Sequence, residues 1–270
     1  MALYPMAFHP ELSASKLAGF LGLHKYQPAH EIEYELLTRD PVTKAAILEL
    51  EDAHHRRPYR IVVRDVLKEK EVQDCVWAGL RKAKTTTDVT GVLEGVQSRA
   101  TDLLGERFSP DLTARLAEEV RGQVSKRRGL ANEATILNTY EAAREVKVTE
   151  RNTKTLKRPM GAWTLVGRCD GYVASQNRIV DSKDRTRHWA EVPVYDEIQL
   201  RCYMTMYGAT ESELIERFPD GTTRHTLYPL DEEKWNGLKT AVDAKVDALL
   251  AARTTPEDLK RIVFANTVEI

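Results

Sequence analysis

Cysteine is scarce in this chain. Its 270 residues include three, Cys75, Cys169 and Cys202, far apart and without a C-x-x-C pair. That excludes a disulfide framework and a cysteine-based zinc site, and suits a reducing compartment. Long hydrophobic runs are missing too. None approaches the ~18 apolar residues of a membrane span, so no membrane partner is expected. The opening "MALYPMAFHPEL" has neither a basic flank nor a long apolar core and does not read as a signal peptide. An intracellular, non-secreted protein is the expectation.

An excess of one charge is also absent. Lys and Arg number 40 against 41 Asp and Glu, a formal net charge of -1. The balance gives no support for a chain that grips nucleic acid through its total charge, leaving only local clusters for that task. What is present is 42% hydrophobic and 30% charged residues, enough apolar material for a sizeable core and no sign of global disorder. The length is ordinary for a single α/β domain with an insertion.

Along the chain, "SASKLAGFLGL" (Ser13–Leu23) predicts a short capped helix ending near Gly22. From Glu31 to about Arg128 apolar residues recur at three- and four-residue spacing, which predicts helix throughout, with breaks at Pro41, Pro58, Thr85–Thr87, Gly105 and Pro110. "RGLANEATILNTYEAAR" (Arg128–Arg144) predicts another helix. The character then changes. "EVKVTERN" alternates like a strand, and "GAWTLVGRCDGYV" and "NRIVDSK" read as β runs joined by a polar turn. "VYDEIQLRCYMTMYGA" predicts a helix. "ESELIERF" and "TRHTLYPL" predict a strand pair around "PDGT", and a long helix capped by Asp231 and a short tail helix follow.

The segment Gly167–Trp189, "GRCDGYVASQNRIVDSKDRTRHW", holds the main chemical signal. A turn centred on Ser175 and Gln176 puts Asp170 opposite Asp181, with Cβ atoms ~4.5–5.5 Å apart. Two carboxylates that close repel unless a proton or a cation intervenes, and a hard divalent ion bound by oxygens resolves the conflict. The two-residue period of a strand puts Lys183 on the face of Asp181. A lysine beside a metal held by two aspartates suits phosphodiester hydrolysis: the metal binds the phosphate and acidifies a water, while the lysine orients or deprotonates that water or stabilises developing charge. The alternative is a solvated hairpin, because D-x-K is a short motif, and a one-residue register slip would break the geometry.

Gln199 and Tyr203 stand four apart on the next helix and share a face. Gly129 and Glu133 do the same upstream. The glycine would admit a close backbone approach and Glu133 would complete a metal shell; the plainer readings are amphipathic decoration and a surface glutamate. His54, His55 and His188 read as ordinary polar surface.

Glu133 on a helix, Asp170 ending a strand, "DSK" (Asp181-Ser182-Lys183) on the next strand and "QLRCY" (Gln199 to Tyr203) on a helix resemble the PD-(D/E)XK nuclease superfamily, the Q-x-x-x-Y resembling its RecB-type branch. "SASKLAGFLGLHKYQP" and "RGLANEATILNTYE" resemble the T-A-S and G-x-x-x-E motifs of YqaJ-like viral recombinase exonucleases, the group of phage lambda exonuclease. The motifs span about Ser13 to Tyr203; the stretch between Gln27 and Lys126 has no counterpart.

The resemblance implies an α/β, restriction-endonuclease-like mixed central sheet flanked by helices. One nuclease domain is expected over 1–270, with 31–126 a helical insertion and 127–270 the catalytic core. It implies a Mg²⁺-dependent deoxyribonuclease, with Mn²⁺ as a substitute. Asp170, Asp181 and the Ser182 carbonyl would be metal ligands, and Glu133 would bind a second metal or a metal-bound water. Lys183 would be the catalytic lysine, supported by Gln199 and Tyr203. Ser15 would contact a DNA phosphate. The chain has Asp181 where lambda-like members have Glu, and lacks the arginine that precedes their T-A-S motif, which puts 5′-phosphate selectivity in doubt. Three scattered cysteines exclude the iron–sulfur cluster of some relatives. The basic clusters "SKRRG", "KDRTRHW" and "KTLKR" make Arg128, Arg185 and Arg187 expected phosphate contacts and Trp189 a stacking surface for an unpaired base. The expected activity is an exonuclease processing DNA ends for recombination or repair, in the cytoplasm or, for a viral member, the host nucleus. A single-strand annealing protein and further copies of the chain are expected partners. The alternatives are an endonuclease of the same superfamily and an inactive DNA-binding scaffold.

Overall fold

The computed structural model describes residues 8–54 and 56–269; His55 and the first seven residues of the opening stretch lie outside them. The chain runs β1 (Glu11–Ser13), α1 (Ala14–Phe20), α2 (Ala29–Leu37), α3 (Pro41–His54), β2 (Arg56–Pro58), α4 (Tyr59–Val66), α5 (Lys70–Thr85), α6 (Val89–Leu104) and α7 (Pro110–Arg144). Then come β3 (Leu156–Pro159), β4 (Thr164–Gly167), β5 (Gly171–Val173), β6 (Arg178–Asp184), α8 (Val194–Tyr207), β7 (Glu211–Arg217), β8 (Thr223–Pro229), α9 (Glu232–Ala252), α10 (Pro256–Val263) and β9 (Thr267–Glu269). This is a mixed α/β fold with a large helical portion on its N-terminal side.

The central sheet has the order β5-β6-β7-β8. β6 and β7 are parallel and are joined through α8, while β5 and β8 pair antiparallel at the two edges. A second sheet, β1-β4-β3, carries the chain start beside β4 in parallel register, and β2 pairs antiparallel with β9. The run "GAWTLVGRCDGYV", expected as one β stretch, is thus split between two sheets. The break falls at Arg168–Asp170, where the Cys169 carbonyl accepts the Asn152 N–H at 3.2 Å. "EVKVTERN" is likewise not a strand; it contributes an isolated bridge, Thr149 to Tyr172.

Period-two patterning decides what each face of the central sheet meets. Val180 on β6 and Ile215 on β7 pack with Ile136, Leu137 and Tyr140 of α7. Ile179 and Leu214 face the other way, into the main core with α1, α2, α3, α8, α9 and α10. A separate apolar cluster runs from Tyr59 to Val124 through α4, α5, α6 and the first half of α7. Within the stretch 31–126, therefore, α2 and α3 share the core of the sheet and the later helices pack among themselves.

α7 joins the two parts. It is one helix of 35 residues, about 50 Å long at 1.5 Å per residue, where the sequence reading has two. Gly129 costs about 1 kcal/mol in a helix interior, yet it does not break this one, because Val120 and Val124 before it and Ile136 and Leu137 after it are packed in different cores. A Cβ at Gly129 would meet nothing within 4 Å, so the close backbone approach expected there is not made by the described chain. Gly167 is where such an approach occurs: a Cβ would lie 2.9 Å from Cε1 of Tyr203. The glycine lets α8 settle against β4 and brings Tyr203 to the site.

Asp40 fastens the helical layer. Its Oδ2 accepts the Thr43 N–H at 3.2 Å in the first turn of α3 and a 2.6 Å bond from Arg253 at the end of α9. These bonds hold its carboxyl below the usual range, against the opposing effect of burial. Asp40→Ala removes the cap and leaves Arg253 without its acid, so a loss of about 2 kcal/mol is expected in urea denaturation; a change within error would mean that the two helices are held by packing alone.

Candidate active site

β6 enters the site with the register that the turn predicts. Gly171 pairs with Val180 and Val173 with Arg178, so Asp170, one residue before β5, stands across from Asp181. The turn itself is a short 3₁₀ segment, Ala174–Gln176, closed by Asn177 at φ 47°. Asp170 does not continue the ladder. Its Oδ2 accepts the Ser182 N–H at 2.9 Å and the Ser182 hydroxyl at 3.2 Å.

Asp181 is 1% exposed. Its Oδ2 lies 2.6 Å from Nζ of Lys183. Its Oδ1 is buried and has no hydrogen-bond partner among the described residues. Lys183 also donates to Oε1 of Gln199 at 3.3 Å, and Nε2 of Gln199 donates to the Tyr203 hydroxyl at 2.8 Å. The four-residue spacing on α8 thereby becomes a relay: Tyr203 holds the amide of Gln199, the amide holds the ammonium, and the ammonium holds Asp181.

Glu133 comes from the second half of α7. Its Oε1 accepts from Nδ2 of Asn152, and the same Nδ2 reaches Oδ1 of Asp170 at 3.5 Å. Asn152 therefore bridges two of the expected carboxylates. Nothing in its sequence context marks it beyond a turn-forming residue type.

The electrostatics follow from this crowding. Burial, then repulsion from Asp170, pushes the Asp181 carboxyl up to about 7, against the pull of Lys183. Burial also raises Asp170, with Lys183 opposing and Glu133 adding to the rise. Burial raises Glu133, opposed by the Asn152 bond and reinforced by Asp181. Burial works to lower the Lys183 ammonium, but Asp181, Asp170 and Asp196 outweigh it and raise its proton affinity.

No group of three or more His, Cys, Asp or Glu stands ready to hold a metal among the described residues. Asp181 is turned to Lys183, Asp170 to Ser182 and Glu133 to Asn152. The donors nonetheless suit a hard divalent ion. They are all oxygens, the carboxylates repel one another, and the buried Asp181 Oδ1 lacks a partner.

The expected DNA contacts divide sharply. Arg128 is 6% exposed. Its guanidinium donates to the Ala83 and Arg185 carbonyls and pairs with Asp184 at 2.8 Å. Arg185 donates at 2.7 Å to Glu216 and at 2.6 Å to Asp196. Both arginines are spent inside the fold, because central-strand and α8 carboxylates need counter-ions; the phosphate contacts expected of them do not fit these positions. Arg187 is exposed, 5.2 Å over the ring of the half-buried Trp189. Ser15 is exposed near the start of α1, its hydroxyl 3.3 Å from that of Ser13. Of "KTLKR", Lys157 pairs with Glu11 and Arg158 donates to the Thr205 carbonyl.

No family model matches the chain, and no curated protein matches it in sequence. The chain resembles exonucleases of solved structure. An alkaline exonuclease from Laribacter hongkongensis is 17% identical with a TM-score of 0.42, over 60% of this chain and 90% of that one. Its complex with dAMP has the same identity and TM-score, over 68% and 90%. A phage related exonuclease from Haemophilus somnus 129PT is 14% identical with a TM-score of 0.35, over 50% and 70%. Among the described residues, no helix is long and apolar enough to cross a membrane.

Proposed function

We propose that the protein is a divalent-metal-dependent deoxyribonuclease that degrades DNA from its ends, an exonuclease of the lambda type within the PD-(D/E)XK superfamily. The observation that carries this reading is the Asp181–Lys183–Gln199–Tyr203 relay set beside Asp170, with a buried carboxylate oxygen left unpartnered. Asp170, Asp181 and the Ser182 carbonyl, with Glu133, would hold Mg²⁺ or Mn²⁺; when bound, the ion supplies Lewis-acid polarisation of the phosphate and acidifies water.

Lys183 is a donor in both of its contacts, to a carboxylate and to an amide oxygen, and so acts as a fixed positive charge. Its task is to orient water and stabilise charge building on the phosphate, rather than to take a proton. Gln199, oriented by Tyr203, gives the ammonium a second acceptor besides Asp181. Arg187 and Trp189 offer a phosphate contact and a stacking surface, and Ser15 a further phosphate contact. In this reading 1–270 is one nuclease domain with catalysis in 127–270, and 31–126 is an addition partly merged with its core. A recombination or repair role, a viral setting, an annealing-protein partner and a homo-oligomer are carried over with the resemblance.

End-labelled linear duplex and covalently closed circular duplex, each with Mg²⁺, test the proposal. The linear DNA is expected to be degraded, the circle spared, and EDTA to stop the reaction. Equal cutting of the circle would replace the exonuclease by an endonuclease, and activity in excess EDTA would remove the metal from the mechanism.

A further inference from the structure

We propose that Asn152 is a positioning residue that sets the separation of Glu133 and Asp170 and holds both carboxylates ready for a divalent cation. The inference rests on reading those two groups as ion-binding. Glu133 belongs to α7 and Asp170 to the connection between two sheets, so no common element fixes their distance. Among the described residues, the Asn152 amide hydrogen-bonds to both.

The placement of Asn152 is itself over-determined. Its backbone is left-handed at φ 50°, and that of Glu150, two residues earlier, is left-handed at φ 56°. Such conformations cost free energy in non-glycine residues and persist where surrounding contacts enforce them. Those contacts are present on both sides. Thr149 exchanges two 2.8 Å backbone bonds with Tyr172 of β5. Arg151 is tied to α7 through Glu141 and Asn138, each at 2.6 Å. The Asn152 N–H then donates to the Cys169 carbonyl, directly before Asp170. The turn is thus clamped to the same two elements that supply the carboxylates.

The residue type matters as well. Asparagine is among the few side chains that tolerate the left-handed region. Its neutral amide satisfies a carboxylate oxygen without adding charge. A lysine or arginine in its place would neutralise Glu133 and Asp170 and compete with a cation; the amide keeps them oriented while leaving the negative field in place.

Mn²⁺ binding to the metal-free protein, followed by electron paramagnetic resonance, tests this without relying on turnover. Asn152→Gly preserves the left-handed backbone and removes only the amide. The expected result is Mn²⁺ affinity weakened about 10- to 100-fold, as when groups that orient metal ligands are lost, with the thermal midpoint close to wild type. The Mg²⁺ concentration giving half-maximal cleavage should rise in step. Wild-type affinity in the glycine variant would overturn the role of Asn152 and leave the ion-binding reading intact. A wild-type protein that binds no Mn²⁺ would overturn both.

Discussion

Lys183→Ala is expected to slow cleavage of linear duplex by about 10²- to 10⁴-fold, the range seen when a positioned acid–base or charge-stabilising group is removed. The lysine side chain is 24% exposed, so truncation opens the site to water more than it empties the core. DNA affinity, measured by anisotropy with Ca²⁺ in place of Mg²⁺, should change little, because the exposed Arg187 and the half-buried Trp189 lie on the loop after β6 and are untouched. The variant also leaves Asp181 without its 2.6 Å partner. Its thermal midpoint must therefore be measured alongside, and Lys183→Met, which keeps most of the stem, separates lost charge from lost packing. Single-turnover rates equal to wild type in both variants would sink the assignment of Lys183 to the chemistry.

The largest stability effect is expected at Glu216, which has no direct part in that chemistry. This carboxylate is 0% exposed, on a central strand. Its Oε1 accepts from Arg185 at 2.7 Å and its Oε2 from Arg224 at 2.6 Å. Arg185 in turn reaches Asp196 at 2.6 Å. Glu216→Ala would leave two guanidinium groups facing an empty space in the fold, and removing one partner of a buried ion pair costs about 3–5 kcal/mol. At roughly 2–4 °C per kcal/mol for a chain of this order of size, the thermal midpoint should fall by about 10 °C. Glu216→Gln, which keeps the shape and one acceptor, should lose less. A drop below about 1 kcal/mol for the alanine variant would place the arginines at the surface and return Arg185 to the list of phosphate contacts.

The two variants mark the divide between what was legible and what was not. The face shared by Asp181 and Lys183, and the opposition of Asp170, follow from the two-residue strand period and a short turn; both are local, and the structure has that register. The Gln199–Tyr203 pair follows from the helical period in the same way. Arg185 and Arg187 look equivalent in "KDRTRHW", yet one is 10% exposed in its side chain and the other lies at the surface. Their difference depends on Glu216 and Asp196, which arrive from β7 and α8 and which no local pattern links to them. Arg128 is the same case: read as the basic residue preceding Glu133, it is consumed by Asp184 across the fold.

Helix continuity divides along the same line. The sequence reading begins a new helix at Arg128, but the two halves of α7 are held by separate cores, and packing outweighs the cost of about 1 kcal/mol that Gly129 brings to a helix interior.

By itself, then, the sequence determined the α/β class, the order of the later strands and helices, and that Asp170, Asp181, Lys183, Gln199 and Tyr203 come near one another. All of these rest on periodicities that act within a few residues. Tertiary structure alone decided that Asn152 bridges Glu133 and Asp170, that Arg128 and Arg185 serve the interior, and that Asp181 keeps one oxygen unpartnered among the described residues. Those outcomes turn on which distant groups compete for the same buried charge, and that competition exists only once α7, β6, β7 and α8 have come together.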